Sequence, residues 1–231
     1  MRKRAGVLGG MGPDTTVDFM AKVIAATPAE QDQDHARLLV DQNPHVPNRQ
    51  AALLGDGEDP GPVMAAMAAG LEQAGADFLV MPCNTAHAFA PAVLGAVSIP
   101  LVSIIDVTVD ACVGFEAAGV MATAGCLEAQ LYQEAFAKAG ITPVLPDETE
   151  ITEISQLAIE IKLGRRGPDI AARMQVVAEA LVARGAQVLV AACTEIPLVL
   201  HASMIDVPLV SSTDVLAAAT AEICAGRRPL P

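Results

Sequence analysis

The chain has 231 residues, 52% of them hydrophobic, which is enough apolar material for one large or two small cores and excludes disorder. Its 14 Lys and Arg stand against 27 Asp and Glu, and the net charge of −13 repels phosphate backbones and anionic lipid headgroups, so nucleic-acid and membrane-surface roles fall away. An anionic metabolite would be repelled too, so a site for one needs a local cationic clamp.

In chain order, the start Met1-Arg2-Lys3-Arg4 is basic, but the apolar run after it stops at Pro13 and Asp14 and offers no signal-peptide core. Later apolar stretches are broken by Glu72, Asp77 or Glu195 before they reach the length of a membrane span. A cytoplasmic location is expected, where the five cysteines would stay as thiols. Residues 5–8 read as a first strand ending in Gly9-Gly10-Met11-Gly12. Pro13-Asp14 breaks the dinucleotide fingerprint and no Gly-Lys-Ser/Thr follows, so these glycines are expected to turn the backbone tightly and let it approach a small ligand. An amphipathic stretch over 63–75 leads to an apolar run over 78–81 and then to Cys83, and residues 99–103 form another short run.

The second half repeats the first. Ala5-Gly6-Val7-Leu8 reappears as Ala118-Gly119-Val120-Met121, and Gly75-Ala76-Asp77-Phe78-Leu79-Val80-Met81-Pro82-Cys83 as Gly185-Ala186-Gln187-Val188-Leu189-Val190-Ala191-Ala192-Cys193. Ile99-Pro100-Leu101-Val102-Ser103, with Asp106 beyond, reappears as Val207-Pro208-Leu209-Val210-Ser211, with Asp214 beyond. The matches keep their order and lie about 110 residues apart, which marks an internal repeat. Strands that are apolar throughout, alternating with amphipathic helices such as residues 170–185, predict parallel sheets covered on both faces. The expected fold is α/β, with two similar Rossmann-like parallel-sheet domains related by a pseudo-two-fold and a site in the cleft between them. The helix expected over 213–226 has no strand after it and should pack back on the first half. That gives residues 1–103 plus 212–231 as one domain and 104–211 as the other.

Ligands of open α/β sheets bind beyond the carboxyl ends of the strands, where both repeated cysteines fall. A thiol before a helix start sits near the positive pole of the helix dipole, so a lowered pKa is expected, with Asn84, Thr85 and Thr194 as capping or donor groups. Two equivalent thiols on opposite sides of a cleft suit proton transfer: one removes a proton from a carbon and the other delivers one to the opposite face. Zinc would want clustered ligands, whereas His35, His45, His87 and His201 are scattered and no Cys-x-x-Cys exists, so no metal is expected. Cys112 and Cys224 lie in apolar helical sequence and read as structural.

These residues resemble the aspartate/glutamate racemase superfamily, and within it the aspartate-racemase branch. The resemblance covers nearly the whole chain and rests on Gly9-Gly10-Met11-Gly12-Pro13, Asn43-Pro44-His45-Val46-Pro47-Asn48-Arg49, Pro82-Cys83-Asn84-Thr85-Ala86-His87, Thr123-Ala124-Gly125 with Tyr132, Lys162-Leu163-Gly164 and Cys193-Thr194-Glu195. It implies racemisation of a small acidic amino acid, aspartate first and glutamate second, with no cofactor, in a homodimer, with Cys83 and Cys193 as paired acid and base. It implies further that Arg49 and Lys162 supply the clamp, Arg49 from a loop stiffened by Pro44 and Pro47, and that Met11, Asn84, Thr85, Thr123 and Thr194 line the substrate. His87 and Glu195 would stand behind the cysteines. The chain departs from the family pattern at Ala192, Cys126 and Ala129, positions that border the ligand in relatives, and Cys126 is expected as a third thiol near the pocket. Two other readings stay open: an isomerase or decarboxylase of the maleate isomerase or arylmalonate decarboxylase type, and a two-lobed dicarboxylate-binding protein without catalysis.

Overall fold

The structure, a computed structural model, describes residues 2–231; Met1 lies outside the described residues. The first half opens with β1 (Arg4–Gly9), α1 (Pro13–Ala26), β2 (Arg37–Gln42), α2 (Arg49–Leu54), α3 (Gly61–Gln73), β3 (Phe78–Val80), α4 (Ala90–Leu94) and β4 (Leu101–Val102). After α5 (Ile104–Asp110) come β5 (Ala117–Met121), α6 (Ala124–Glu128), α7 (Leu131–Ala139), β6 (Thr142–Val144), α8 (Glu148–Lys162), α9 (Pro168–Ala183), β7 (Val188–Ala191), β8 (Leu209–Ser211) and α10 (Ser212–Cys224). Two four-stranded parallel sheets result, ordered β2-β1-β3-β4 and β6-β5-β7-β8. The fold is the one the repeat predicts.

The repeat reaches down to single contacts. Gly6 of β1 pairs with Leu79 of β3, and a Cβ there would lie 2.8 Å from the Leu79 side chain and 2.9 Å from that of Ala76. Gly119 of β5 pairs with Leu189 of β7 and meets Leu189 and Ala186 at 2.6 and 3.0 Å. In both halves a glycine lets the helix that leads into the neighbouring strand, through Leu71 of α3 or Leu181 of α9, close on the sheet. The third repeated segment supplies a helix cap. The Ser103 hydroxyl accepts from the Asp106 N–H at the start of α5, and the Ser211 hydroxyl accepts from the Asp214 N–H at the start of α10.

Those two capped helices tie the halves together. Helix α10 follows the second sheet yet packs on α1 of the first half, while α5 follows the first sheet and packs on α7 of the second. One buried cluster accordingly joins Val7, Phe78 and Val80 to Val120, Val188 and Val190 through residues of α5 and α10. Each outer helix layer has its own smaller core, with Leu8, Met64 and Leu71 in the first half and Ile154, Met174 and Leu181 in the second. Among the described residues no helix is long and apolar enough to cross a membrane.

The turn after β1 differs from expectation in what it approaches. Gly10 adopts φ +90°, and a Cβ there would lie 2.4 Å from the Asn43 main chain, so its close approach is to the chain's own loop after β2 and not to a ligand. Thr16 of α1 fixes that turn, since its hydroxyl accepts from the Gly10 N–H at 2.8 Å.

Candidate active site

Cys83 and Cys193 follow the carboxyl ends of β3 and β7, the corresponding strands of the two sheets, and both line one cavity between the halves. Each is 8% exposed. Met11, Arg49, Asn84, Thr85, Thr123, Lys162 and Thr194 line the same cavity. Its volume is about 30 Å³. A water needs about 10–15 Å³ on this measure, so the closed cleft has room for two or three waters and must widen for an amino acid.

The two thiols are held differently. Behind Cys83, the buried His87 ring accepts from the Ile104 N–H through Nε2 at 3.1 Å, which places its proton on Nδ1, and Nδ1 donates to the Cys83 carbonyl at 2.9 Å. Burial lowers the His87 pKa to about 4, so the ring is neutral and anchors the Cys83 backbone without adding charge. The Cys193 thiol instead donates to Glu195 Oε2 at 3.0 Å, an oxygen that also accepts from the Thr194 hydroxyl at 3.3 Å. Burial, reinforced by the Glu195 carboxylate, pushes the Cys193 thiol well above its ordinary pKa. The expectation of a lowered value is thus corrected for Cys193. Only one short turn, Ile196–Leu198, follows it, too little helix to outweigh an adjacent carboxylate in a dry site.

Two cations face these groups. Lys162 ends α8 and brings Nζ to 3.4 Å from Glu195 Oε1. Burial alone would lower its pKa; Glu195 and then the two cysteines more than offset this, so the ammonium is favoured. Arg49 stands not in the loop but at the first position of α2, a helix capped by Asn48, whose side chain accepts from the Gln50 and Ala51 N–H groups. Its Nη1 donates to the Val46 and Pro47 carbonyls at 3.0 and 2.9 Å, so the loop carrying Pro47 does fix the guanidinium.

The polar residues bind the halves to each other. Thr85 and Thr123 share a hydroxyl hydrogen bond of 3.3 Å across the cleft. Asn84 does not cap a helix: its Oδ1 accepts from the Tyr132 hydroxyl at 2.6 Å and its Nδ2 donates to Ser212 at 3.0 Å. Thr85 and Thr194 make no side-chain cap either: the Thr85 hydroxyl is spent on Thr123 and that of Thr194 on Glu195. Cys126, Ala192 and Ala129 are absent from the cavity lining. Cys126 and Ala192 are buried in the central core; burial, reinforced by the neighbouring Cys83, raises the Cys126 thiol far above its usual range, so it lies near the pocket but does not open into it. Cys112 and Cys224 are buried and pushed up to about 11.

Sequence reasoning missed Asn48 and Gln50 as lining residues and placed Glu195 only behind the cysteine. Gln50 Oε1 accepts from the Gly125 N–H at 3.3 Å, a contact between halves that no local pattern carries, whereas Asn48 before an apolar run is a legible helix start. Among the described residues no group of three or more His, Cys, Asp or Glu is arranged to hold a metal ion.

Two four-stranded parallel α/β halves sharing one cavity match the two-domain fold of an amino-acid racemase. The chain belongs to the Asp/Glu/Hydantoin racemase family, whose model matches residues 8–220. It is 26% identical over 220 residues to a broad-specificity amino-acid racemase of Bacillus subtilis (strain 168), covering 93% of this chain and 95% of the relative. It is similar to the solved aspartate racemase of Picrophilus torridus, with TM-score 0.87 and 27% identity over 99% of this chain and 96% of that one. A glutamate racemase from Bacillus anthracis shares the fold at TM-score 0.70, with 20% identity over 99% of this chain and 84% of that one.

Proposed function

We propose that this racemase interconverts L- and D-aspartate without a cofactor, by a two-base mechanism in which Cys83 and Cys193 work on opposite faces of the α-carbon. The observation that carries the reading is the pair of cysteines from matching strand ends lining one cavity together with the cations Arg49 and Lys162. The thiolate of one cysteine takes the α-proton, breaking Cα–H and forming S–H, and the electron pair delocalises into the α-carboxylate. The other thiol then gives its proton to the opposite face and is left as thiolate. Arg49, rigidly tied to main-chain carbonyls, holds the α-carboxylate, where negative charge grows in the transition state. Lys162, on a longer and freer stem, holds the side-chain carboxylate.

In this reading Cys193, which donates to Glu195, rests as the thiol. Glutamate is the alternative substrate. The protein is taken as a cytoplasmic homodimer whose partner is a small acidic amino acid, with no nucleic-acid or membrane partner; sedimentation tests the dimer. The central experiment is proton NMR of L-aspartate with enzyme in deuterium oxide. Loss of the α-proton signal with appearance of D-aspartate supports the mechanism, while a bound but unexchanged aspartate would turn the reading toward a binding protein, and loss of carbon dioxide or of amine toward another reaction.

A further inference from the structure

Behind the ion pair of Lys162 and Glu195 lies a second cavity of about 140 Å³, against about 30 Å³ between the thiols. The two cavities share a wall, because Lys162 and Glu195 line both. Beyond that pair the lining is mainly apolar, with Pro13 from the first half and Ile161 and Leu198 from the second, and Thr15 beside them. Gly12 lines the second cavity beside the pair, where a Cβ would stand 3.6 Å from Glu195 Oε1 and 3.9 Å from Lys162 Cε. At the outer rim Arg166 and Asp14 pair across the two halves.

The wall is movable. The Lys162–Glu195 separation of 3.4 Å exceeds the roughly 2.7–2.9 Å of a tight charged hydrogen bond, so charge and not a fixed geometry holds the ammonium. Lys162 is the last residue of α8, its side chain is 39% exposed, and its four-carbon stem can swing toward solvent while remaining near Glu195. An acidic side chain would keep the ammonium on the cleft side. A neutral one would not.

We propose that this second cavity is a subsite for apolar amino-acid side chains, which makes the enzyme a racemase of methionine- or leucine-sized substrates as well as of aspartate. With the α-carboxylate on Arg49 and the α-carbon between the thiols, a side chain of this kind passes the Lys162–Glu195 pair and lodges among Pro13, Ile161 and Leu198. The volume suffices, since an apolar cavity of about 150 Å³ accommodates a benzene molecule. The inference rests on the racemase reading above and extends its substrate class.

The test compares L-aspartate and L-methionine as substrates of the wild type, Leu198→Trp and Leu198→Phe. Leu198 does not line the cavity that holds the thiols, so its enlargement fills only the second one. Occluding an apolar pocket typically costs about tenfold or more, so kcat/KM for methionine should fall at least that far in Leu198→Trp while that for aspartate stays within about twofold. Leu198→Phe should show the same preference in smaller measure, which keeps the test decisive if the tryptophan variant does not fold. An equal fall for both substrates would mean a passage to the cleft and overturn the subsite. Turnover of aspartate but not of methionine by the wild type would overturn it too. Turnover of neither would bring down the racemase reading itself, and the subsite with it.

Discussion

At the residue scale the two cysteines are equivalent in the repeat and unequal in their surroundings. Cys83 has a neutral imidazole bound to its carbonyl, whereas Cys193 has a carboxylate bound to its thiol. Either Cys83→Ser or Cys193→Ser should abolish racemisation with the circular dichroism unchanged, and one of them should still exchange the α-proton of a single enantiomer with solvent. A variant that racemises at near wild-type rate would remove the two-base mechanism. The negative charge of Glu195 favours the protonated thiol, so Glu195→Gln should lower the Cys193 pKa, though burial, the larger cause, keeps it above the ordinary value. The pH at which iodoacetamide half-maximally alkylates Cys193, followed by peptide mass spectrometry, should therefore move down; an unmoved or higher midpoint contradicts the assignment. The two proposed clamps, Arg49 and Lys162, are separable as well. A charged hydrogen bond contributes roughly 1.5–3 kcal/mol, so Arg49→Met or Lys162→Met should cost aspartate about ten- to a hundredfold in kcat/KM. Only Arg49→Met should depress neutral amino acids equally, because only the α-carboxylate is common to all.

At the scale of elements, the site is assembled by contacts between helices that the chain order separates. Tyr132 on α7 donates to Asn84 after β3, Asn84 donates to Ser212 at the start of α10, and Ser212 donates to the Ala191 carbonyl of β7 at 2.8 Å. All of these side chains are buried, so deleting one hydroxyl leaves a partner unsatisfied. Tyr132→Phe should lower the unfolding free energy by about 1–3 kcal/mol in urea titration and reduce kcat/KM, since Asn84 loses the bond that orients it. Helix α8 offers the control. Asp147 and Glu150 form a capping box at its start, and Lys162 stands at its opposite end. Asp147→Ala should cost about 1 kcal/mol of stability with catalysis unchanged. Lost activity in proportion to lost stability would show that α8 transmits disorder along its length.

At the scale of the whole molecule, the exchange of α5 and α10 between the halves decides how it unfolds. We propose domain boundaries at Ser103 and Ser211, the caps of these two helices, so that each helix belongs to the domain it packs on and not to the half whose strand precedes it. One buried cluster spans both sheets, and neither half can expose it alone. A single cooperative transition is expected, with far-ultraviolet circular dichroism and the fluorescence of Tyr132, the one tyrosine in a chain without tryptophan, coinciding through urea. Two separate midpoints would show that the halves fold independently. Opening of the cleft is a smaller event, and it must break the Thr85–Thr123, Gln50–Gly125 and Arg166–Asp14 contacts between halves while leaving that cluster intact.

The sequence by itself determined the α/β class, three of the four strands of each sheet and the strand ends that carry Cys83 and Cys193; the edge strands β2 and β6 lie outside the repeated segments and were not legible. The physical reason is local: a strand buried on both faces must be apolar throughout, a helix must be capped, and a close helix-to-sheet approach requires glycine, so Gly6 and Gly119, Ser103 and Ser211, and Cys83 and Cys193 each leave a mark at matching places. Only the tertiary structure decided what surrounds the thiols. The upward shift of Cys193, the pairing of Lys162 with Glu195, the reach of Gln50 to Gly125 and the retreat of Cys126 into the core all depend on burial and on distances between residues far apart in the chain. Electrostatic energies in a dry site follow those distances through space, and a linear pattern of residue types does not contain them.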